Sequence, residues 1–277
     1  MDPIRKAAVA GSWYPGTPAA IAAEVEGYLA SARPPAVPGR LVGLISPHAG
    51  LRYSGPVAAH GYGLLRGRSR LTVVMVSPSH HAAFEGVAVY ARGAFETPLG
   101  RVPIAEDIAG ALLAAGRAVC DDPEVHRDEH SLEMQLPFLQ HVVPGLRLVP
   151  LLMGSQSREE ADSLAEALAR VLAGRDVLLV ASSDLSHYQP APVANRLDAE
   201  VAECVGRFDP EGLMARLERR HDHACGGGPM VAVMKAARSL GADRATVLRY
   251  GDSGDVGEGD KSRVVGYLSA ALTAPVS

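Results

Sequence analysis

Short aliphatic runs alternate with longer amphipathic stretches along this chain, and three of the runs end in the same way. "LVGLIS" leads into Pro47 and His48, "LTVVMVS" into Pro78, Ser79 and His80, and "DVLLVAS" into Ser183, Asp184 and His187. None of the three alternates polar with apolar positions, the pattern of strands buried on both faces. Between them the period lengthens. "PAAIAAEVEGYLASA" (18–32) follows Thr17, a suitable N-cap, with Pro18 at the first helical position. Helices are also predicted at 54–67, weakened by glycines, at 105–116, at 129–142 with Pro137 interrupting, and at 157–174 with Gly174 as its stop. A further helical stretch from Ala194 to Arg219 breaks near Asp209 and Pro210, and another opens around Pro229 and ends on Gly241. Remaining strands are predicted at 146–154, on both sides of Gly93 within 85–103, and as "ATVLRYG" and "SRVVGYLSAAL" around the acidic loop "GDSGDVGEGD".

Alternation of this kind argues for an α/β fold: one domain over 1–277 with a central mixed, largely parallel sheet flanked by helices. Open α/β sheets collect ligands in the crevice beyond the carboxyl ends of their parallel strands. If the strands leading to His48, His80 and His187 are parallel neighbours, three imidazoles meet in one crevice. Pro47 and Pro78 restrict the backbone at two of those ends. A shared metal or catalytic site is therefore expected. His81 points elsewhere by strand-end geometry and is assigned to the pocket wall.

Neutral imidazoles suit iron, zinc or copper, and one anionic ligand would complete a set with open positions. Cys225 in "HACGGGPM" is the best candidate. Its glycines allow close backbone approach, and the helix after it offers free N–H groups that favour thiolate. Cys120 and Cys204 lack this setting and read as packing residues. "DEHSLEM" places His130 and Glu133 on one face of a predicted helix, but a single histidine is not a zincin motif; His130 is assigned to the pocket. The acidic loop lacks the glutamate spacing of an EF-hand and reads as a solvated loop, with a cover over the pocket mouth as the alternative. Ser182 and Ser183 have no G-x-S-x-G elbow around them, so a serine nucleophile is not expected. His60, His126, His141, His221 and His223 are expected in structural roles.

Composition narrows the setting. The 277 residues can bury a sizeable core, and 47% hydrophobic with 21% charged residues is ordinary for a globular protein. A net charge of -4, with "RGRSR" the densest basic cluster, gives no reason to expect nucleic acid. The N-terminus lacks the signal-peptide pattern, and no apolar run approaches the ~18 residues that span a bilayer. Three scattered cysteines without C-x-x-C point to a reducing, cytoplasmic setting.

The motifs "AGSWYPG", "PHAGLRYSG", "SPSHH", "DEHSLEMQLPFLQ", "SSDLSHY" and "ACGGGPM", in that order from Ala10 to Pro229, resemble the Memo family, including prokaryotic members labelled AmmeMemoRadiSam system protein B. That family is similar in fold to the class III extradiol dioxygenases, which hold non-haem Fe(II) with two histidines and a glutamate. The resemblance implies that His48 and His80 are the histidine ligands, with Cys225 where those dioxygenases have glutamate. It implies an acid/base role for His187 beside Asp184, and pocket roles for Trp13 and Tyr53. Fe(II) is the expected ion, with copper or zinc as alternatives because thiolate softens the site. The activity implied is that of a metal-dependent oxidoreductase on a small molecule. The alternatives are a peptide- or phosphopeptide-binding adaptor and a redox partner of radical-SAM and AMMECR-type proteins.

Overall fold

A two-residue strand, β1 (Ile4–Arg5), opens the computed structural model, which describes residues 3–115, 119–256 and 259–276. Thr17 then caps α1 (Pro18–Ser31), its Oγ1 accepting the Ala20 amide at 3.4 Å. The first aliphatic run forms β2 (Arg40–Ser46), followed by α2 (Leu51–Tyr62), which starts earlier than its glycines suggest. The second forms β3 (Thr72–Pro78). The stretch predicted as two strands around Gly93 becomes three: β4 (Val87–Val89), β5 (Ala94–Thr97) and β6 (Gly100–Pro103). Next come α3 (Glu106–Ala114), whose predicted end at Gly116 lies outside the described residues, and β7 (Val119–Asp121).

The helix expected at 129–142 is shorter. Pro137 removes a backbone donor and its ring opposes the carbonyl four residues earlier, so a continuous helix through it is disfavoured. Only α4 (Leu136–Val142) is α-helical, with Pro137 in its first turn and a 3-10 turn, Glu133–Gln135, before it. His130 and Glu133 therefore do not share a helix face. Then come β8 (Arg147–Met153), α5 (Arg158–Leu172) capped by Ser157, and β9 (Val177–Ser182). A strand that the sequence pattern does not predict, β10 (Asp184–Gln189), lies directly after it. The chain closes with α6 (Ala191–Gly206), α7 (Pro210–Arg219), α8 (Gly227–Ser239), β11 (Arg244–Asp252) and β12 (Val264–Ala274).

Four strands, in the order β2-β9-β3-β8, are parallel and form the centre of the large sheet. Antiparallel pairings lie on both sides: β12 against β2, and β4 against β8. Every residue of β3 is buried, which requires cover on both faces. One layer holds α1, α2 and α4; α3, α5, α7 and α8 pack together in the other. A small second sheet, β1-β5-β6, holds the N-terminal strand. Gly93 separates the two sheets with φ +80, and a Cβ there would lie 1.9 Å from the Pro3 carbonyl oxygen. Among the described residues no helix is long and apolar enough to cross a membrane.

The register places the three polar endings. β9 lies between β2 and β3, so the chain ends at Ser46, Ser182 and Pro78 come out side by side. β11 occupies one edge of β12 over Gly266–Thr273, and β2 pairs along Ala270–Ala274 on the other. β10 continues that second edge along Val264–Tyr267. After β9 the chain therefore steps across the end of β2, carrying Asp184 towards His48.

Candidate metal centre

His48, His80 and Cys225 converge. One ligand atom from each lies within 4.8 Å of the other two, and the Cys225 sulfur is 3.2 Å from His48 Nε2. The two imidazole rings stand nearly perpendicular, with centroids 5.2 Å apart. His48 is buried, Cys225 half-buried, and His80 the most exposed of the three.

Hydrogen bonds fix which nitrogen of each ring is free. Tyr62 OH donates to Gln135 Oε1 at 2.5 Å, which aims the Gln135 amide at the Pro47 carbonyl (3.0 Å) and Ser182 Oγ (2.7 Å). Ser182 spends its proton on the Ser131 carbonyl at 2.7 Å, so it can only accept from His48 Nδ1, 2.8 Å away. His48 therefore carries its proton on Nδ1, and its Nε2 lone pair faces Cys225. His80 obeys the same logic with a charged partner: its Nδ1 lies 2.9 Å from Glu129 Oε1. The Glu129 carboxylate also accepts the amides of His80 (2.5 Å) and Ser131 (2.9 Å). Burial pushes the Glu129 carboxyl up, but the hydrogen bonds from His80 and Ser131 outweigh it and hold it well below the usual range. A carboxylate–imidazole pair of this kind presents the opposite nitrogen as a metal ligand.

Cys225 sits in a tight backbone crossing. A Cβ on Gly226 would meet the Ser182 carbonyl oxygen at 2.4 Å and Ser183 Cβ at 2.7 Å, so the close approach expected of these glycines is present. Gln156 spans the loop, donating to the Cys225 carbonyl at 2.8 Å and accepting the Gly228 amide at 3.0 Å. The Gly226 amide goes to Ser183 Oγ at 2.9 Å. The helix terminus thus has these N–H groups occupied and does not produce the expected thiolate. Burial, with the Asp184 charge second, pushes the Cys225 thiol up. A cation bound at this sulfur would therefore have to displace the thiol proton.

Asp184 and His187 lie in the site but are not partners. The Asp184 carboxylate accepts the amides of His48 (2.7 Å) and Ala49 (3.3 Å), fixing the loop that carries the first imidazole. Burial raises Asp184 to about 7, against the pull of those amides. His187 is oriented instead by the Leu185 carbonyl, 2.8 Å from its Nδ1, which leaves Nε2 as the ring's acceptor. Burial lowers the His187 pKa, keeping the ring neutral.

A cavity of about 950 Å3 opens beside the donors, lined by His48, His80, His130, His187, Asp184 and the aromatics Trp13, Tyr53, Tyr188 and Tyr267. Trp13 and Tyr53 fall where the resemblance puts them. His130 stacks on His80 at 4.5 Å and against Trp13 at 4.3 Å, and burial lowers its pKa to about 4. His81 is exposed, edge-on to His130 at 5.8 Å, and does not line the cavity. The acidic loop borders the mouth through Ser253, Val256, Gly259 and Asp260; its residues 257 and 258 lie outside the described set. Two of its acids are engaged by Lys261, which reaches Asp252 at 2.7 Å and Asp255 at 2.5 Å, and Asp260 accepts the Ser262 amide at 2.8 Å. Sequence reasoning missed Glu129, Gln135, Tyr267, Arg52 and Arg263. Only Glu129 had a visible signal, an acid beside a histidine in the "DEHSLEMQ" motif. Of the other histidines, His126 and His223 are buried, His60 and His141 bond to Pro56 and Glu26, and the His221 side chain is not among those described.

The fold and the site together define an α/β protein with a His/His/Cys donor set at the carboxyl edge of its parallel strands. Comparison with known proteins gives the family. The profile of the Memo family, described as Memo-like protein, matches residues 5–271. A MEMO1 family protein of Methanothermobacter thermautotrophicus is 38% identical over 273 residues, 95% of this chain and 98% of its own length. A second, from Methanopyrus kandleri, is 37% identical over 276 residues, covering 96% of this chain and 97% of its own length. The chain belongs to the Memo family. Its fold is also similar to the crystal structure of an Escherichia coli K12 protein, with a TM-score of 0.52 at 17% identity, over 82% of this chain and 99% of that one.

Proposed function

We propose that the chain binds one metal ion through His48 Nε2, His80 Nε2 and the Cys225 thiolate, and that it acts as a metal-dependent oxidoreductase on a small molecule. The observation that carries the reading is the proton arrangement: Ser182 and Glu129 each hold the Nδ1 of an imidazole, so the opposite nitrogens are left as acceptors beside a sulfur whose one proton an incoming ion would displace. Without an ion, the Cys225 thiol and His48 Nε2 satisfy each other; an ion shared with His80 would replace that contact.

Fe(II) is the ion proposed, with copper or zinc as alternatives favoured by the thiolate. Three protein donors leave coordination positions open, and a redox-active ion there supplies Lewis-acid and electron-transfer chemistry to a ligand in the cavity. The protein's part is set by its own groups. Asp184 holds the His48 loop in place, and neutral His187 offers Nε2 as a proton acceptor on the cavity wall. Trp13, Tyr53 and Tyr267 give a planar ligand apolar surfaces to lie against.

The test is oxygen uptake by Fe(II)-loaded protein across a panel of catechols and related phenols. Uptake with at least one, much reduced in His187→Ala, is expected; flat traces with metal-loaded protein count against the oxidoreductase reading. One observation favours a second reading, a docking cleft for a peptide. Trp13, Tyr53 and Tyr188 are 39%, 45% and 63% exposed around the same mouth, a composition found at binding hot spots. Peptide binding that persists in metal-free protein would select it.

A further inference from the structure

The N-terminal segment 5–14 crosses the molecule as a strap with little regular structure, yet it carries Trp13 to the metal pocket. The Trp13 carbonyl accepts the Leu51 amide at 2.8 Å, and one buried side chain anchors the rest of the strap at several points. Glu133 is fully buried, and its carboxylate accepts the amides of Ala8 (2.7 Å) and Val9 (3.1 Å) and the hydroxyl of Tyr14 (2.7 Å). The Arg5 guanidinium pairs with the same carboxylate, donates to the carbonyls of His126 and Glu129, and lies 5.2 Å from the Phe95 ring centroid. All four groups facing Glu133 are donors. An amide in its place would turn an N–H against at least one of them.

The position of this anchor in the chain gives it a role beyond packing. Glu133 belongs to the seven-residue segment 129–135, and that segment supports both imidazoles. Glu129 holds His80, the Ser131 carbonyl takes the Ser182 proton that fixes His48, and Gln135 donates to Ser182 and Pro47. His130, in the same segment, is the ring against which Trp13 packs. The strap and the ligand supports therefore share one buried scaffold.

We infer that Glu133 is a positioning residue: by pinning the strap to the segment that supports both imidazole ligands, it holds Trp13 in place as the outer wall of the metal pocket. This rests on the metal reading proposed above for its functional meaning, but the geometry of the strap does not. Releasing the strap leaves His48, His80 and Cys225 intact and removes the wall.

The chain has one tryptophan, so its fluorescence reports Trp13 alone. The experiment compares wild type, Glu133→Gln and the milder Tyr14→Phe, which removes one donor to the carboxylate and serves if the first variant does not fold. Three signals are read on folded protein: acrylamide quenching of Trp13, absorption of Co2+ bound to thiolate, and quenching of Trp13 by that Co2+. In wild type the bound Co2+ quenches Trp13. In the variants acrylamide quenching rises by about twofold or more, as for a locally released segment, while the cobalt absorption persists and its effect on Trp13 falls. A residue acting only on global stability would lower the melting temperature and leave all three signals unchanged in folded protein. Unchanged acrylamide and cobalt quenching in whichever variants fold overturns the inference. Absence of cobalt absorption in wild type overturns the metal reading instead, and acrylamide quenching then decides the strap alone.

Discussion

Cys225 and His48 lie 177 residues apart in sequence, yet sulfur and Nε2 stand 3.2 Å from each other. Each also has supports of its own. Ser182 fixes the imidazole from behind, while Gln156 and the crossing at Gly226 fix the cysteine loop. Donors supported separately and aimed at one point are preorganised for the ion proposed above, and little ordering would remain on binding.

The support for His80 is the easiest to remove without touching a ligand. In Glu129→Gln the amide nitrogen would face donors now accepted by the carboxylate, and the charge opposite His80 is lost. Metal affinity is expected to fall about 10–100-fold, the usual effect of losing such a partner. Competition against a chromophoric chelator measures it. An affinity within about twofold of wild type would show that Glu129 does not orient the ligand.

Gly226 tests the backbone crossing. A methyl group there has no room beside Ser182 and Ser183. Gly226→Ala is expected to destabilise the fold by about 1–3 kcal/mol and to displace Cys225, weakening metal binding although every donor is still present. Urea unfolding and chelator competition on the same preparation read both effects. Wild-type values in both would mean the crossing is looser than described.

His126 gives the fold a pH dependence separate from the site. Burial lowers its pKa to about 3, with Arg5 adding to the effect and the Ala88 carbonyl and Glu129 opposing it. Between that value and the 6.5 of an exposed ring, the unfolded chain binds more protons than the folded one. Stability is therefore present above pH 6.5 and is lost as pH falls through that window. His126→Phe, set among Tyr90 and Phe95, removes this contribution. Its unfolding free energy is expected to decline less steeply than that of wild type between pH 7 and pH 5; equal slopes would contradict the assignment.

The parallel centre of the fold was legible because β2, β3 and β9 are buried on both faces and so are written as unbroken aliphatic runs. Their polar endings were legible for the same reason: a rigid strand fixes the position of the residues just beyond its end. β10 was not, since "DLSHYQ" has no apolar run and forms a strand only because β12 offers it a free edge beyond β2. The helix expected through His130 fails at Pro137, which the structure accepts only in the first turn of α4. Asp184 was assigned to its sequence neighbour His187, whereas the step across β2 brings it to His48. The N-terminal strap left no trace in periodicity. Its anchor, Glu133, reaches Tyr14 across 119 residues, a contact that no local pattern encodes.

The central claim is that His48, His80 and Cys225 hold one ion between them. Elemental analysis of protein produced without a metal-binding tag and purified anaerobically tests it most directly, with His48→Ala, His80→Ala and Cys225→Ala beside wild type. The expected result is near-stoichiometric iron or copper in wild type and its loss in each variant, with the variants still folded by circular dichroism. Undiminished metal in all three variants, or wild type that takes up no metal on reconstitution, would contradict the account.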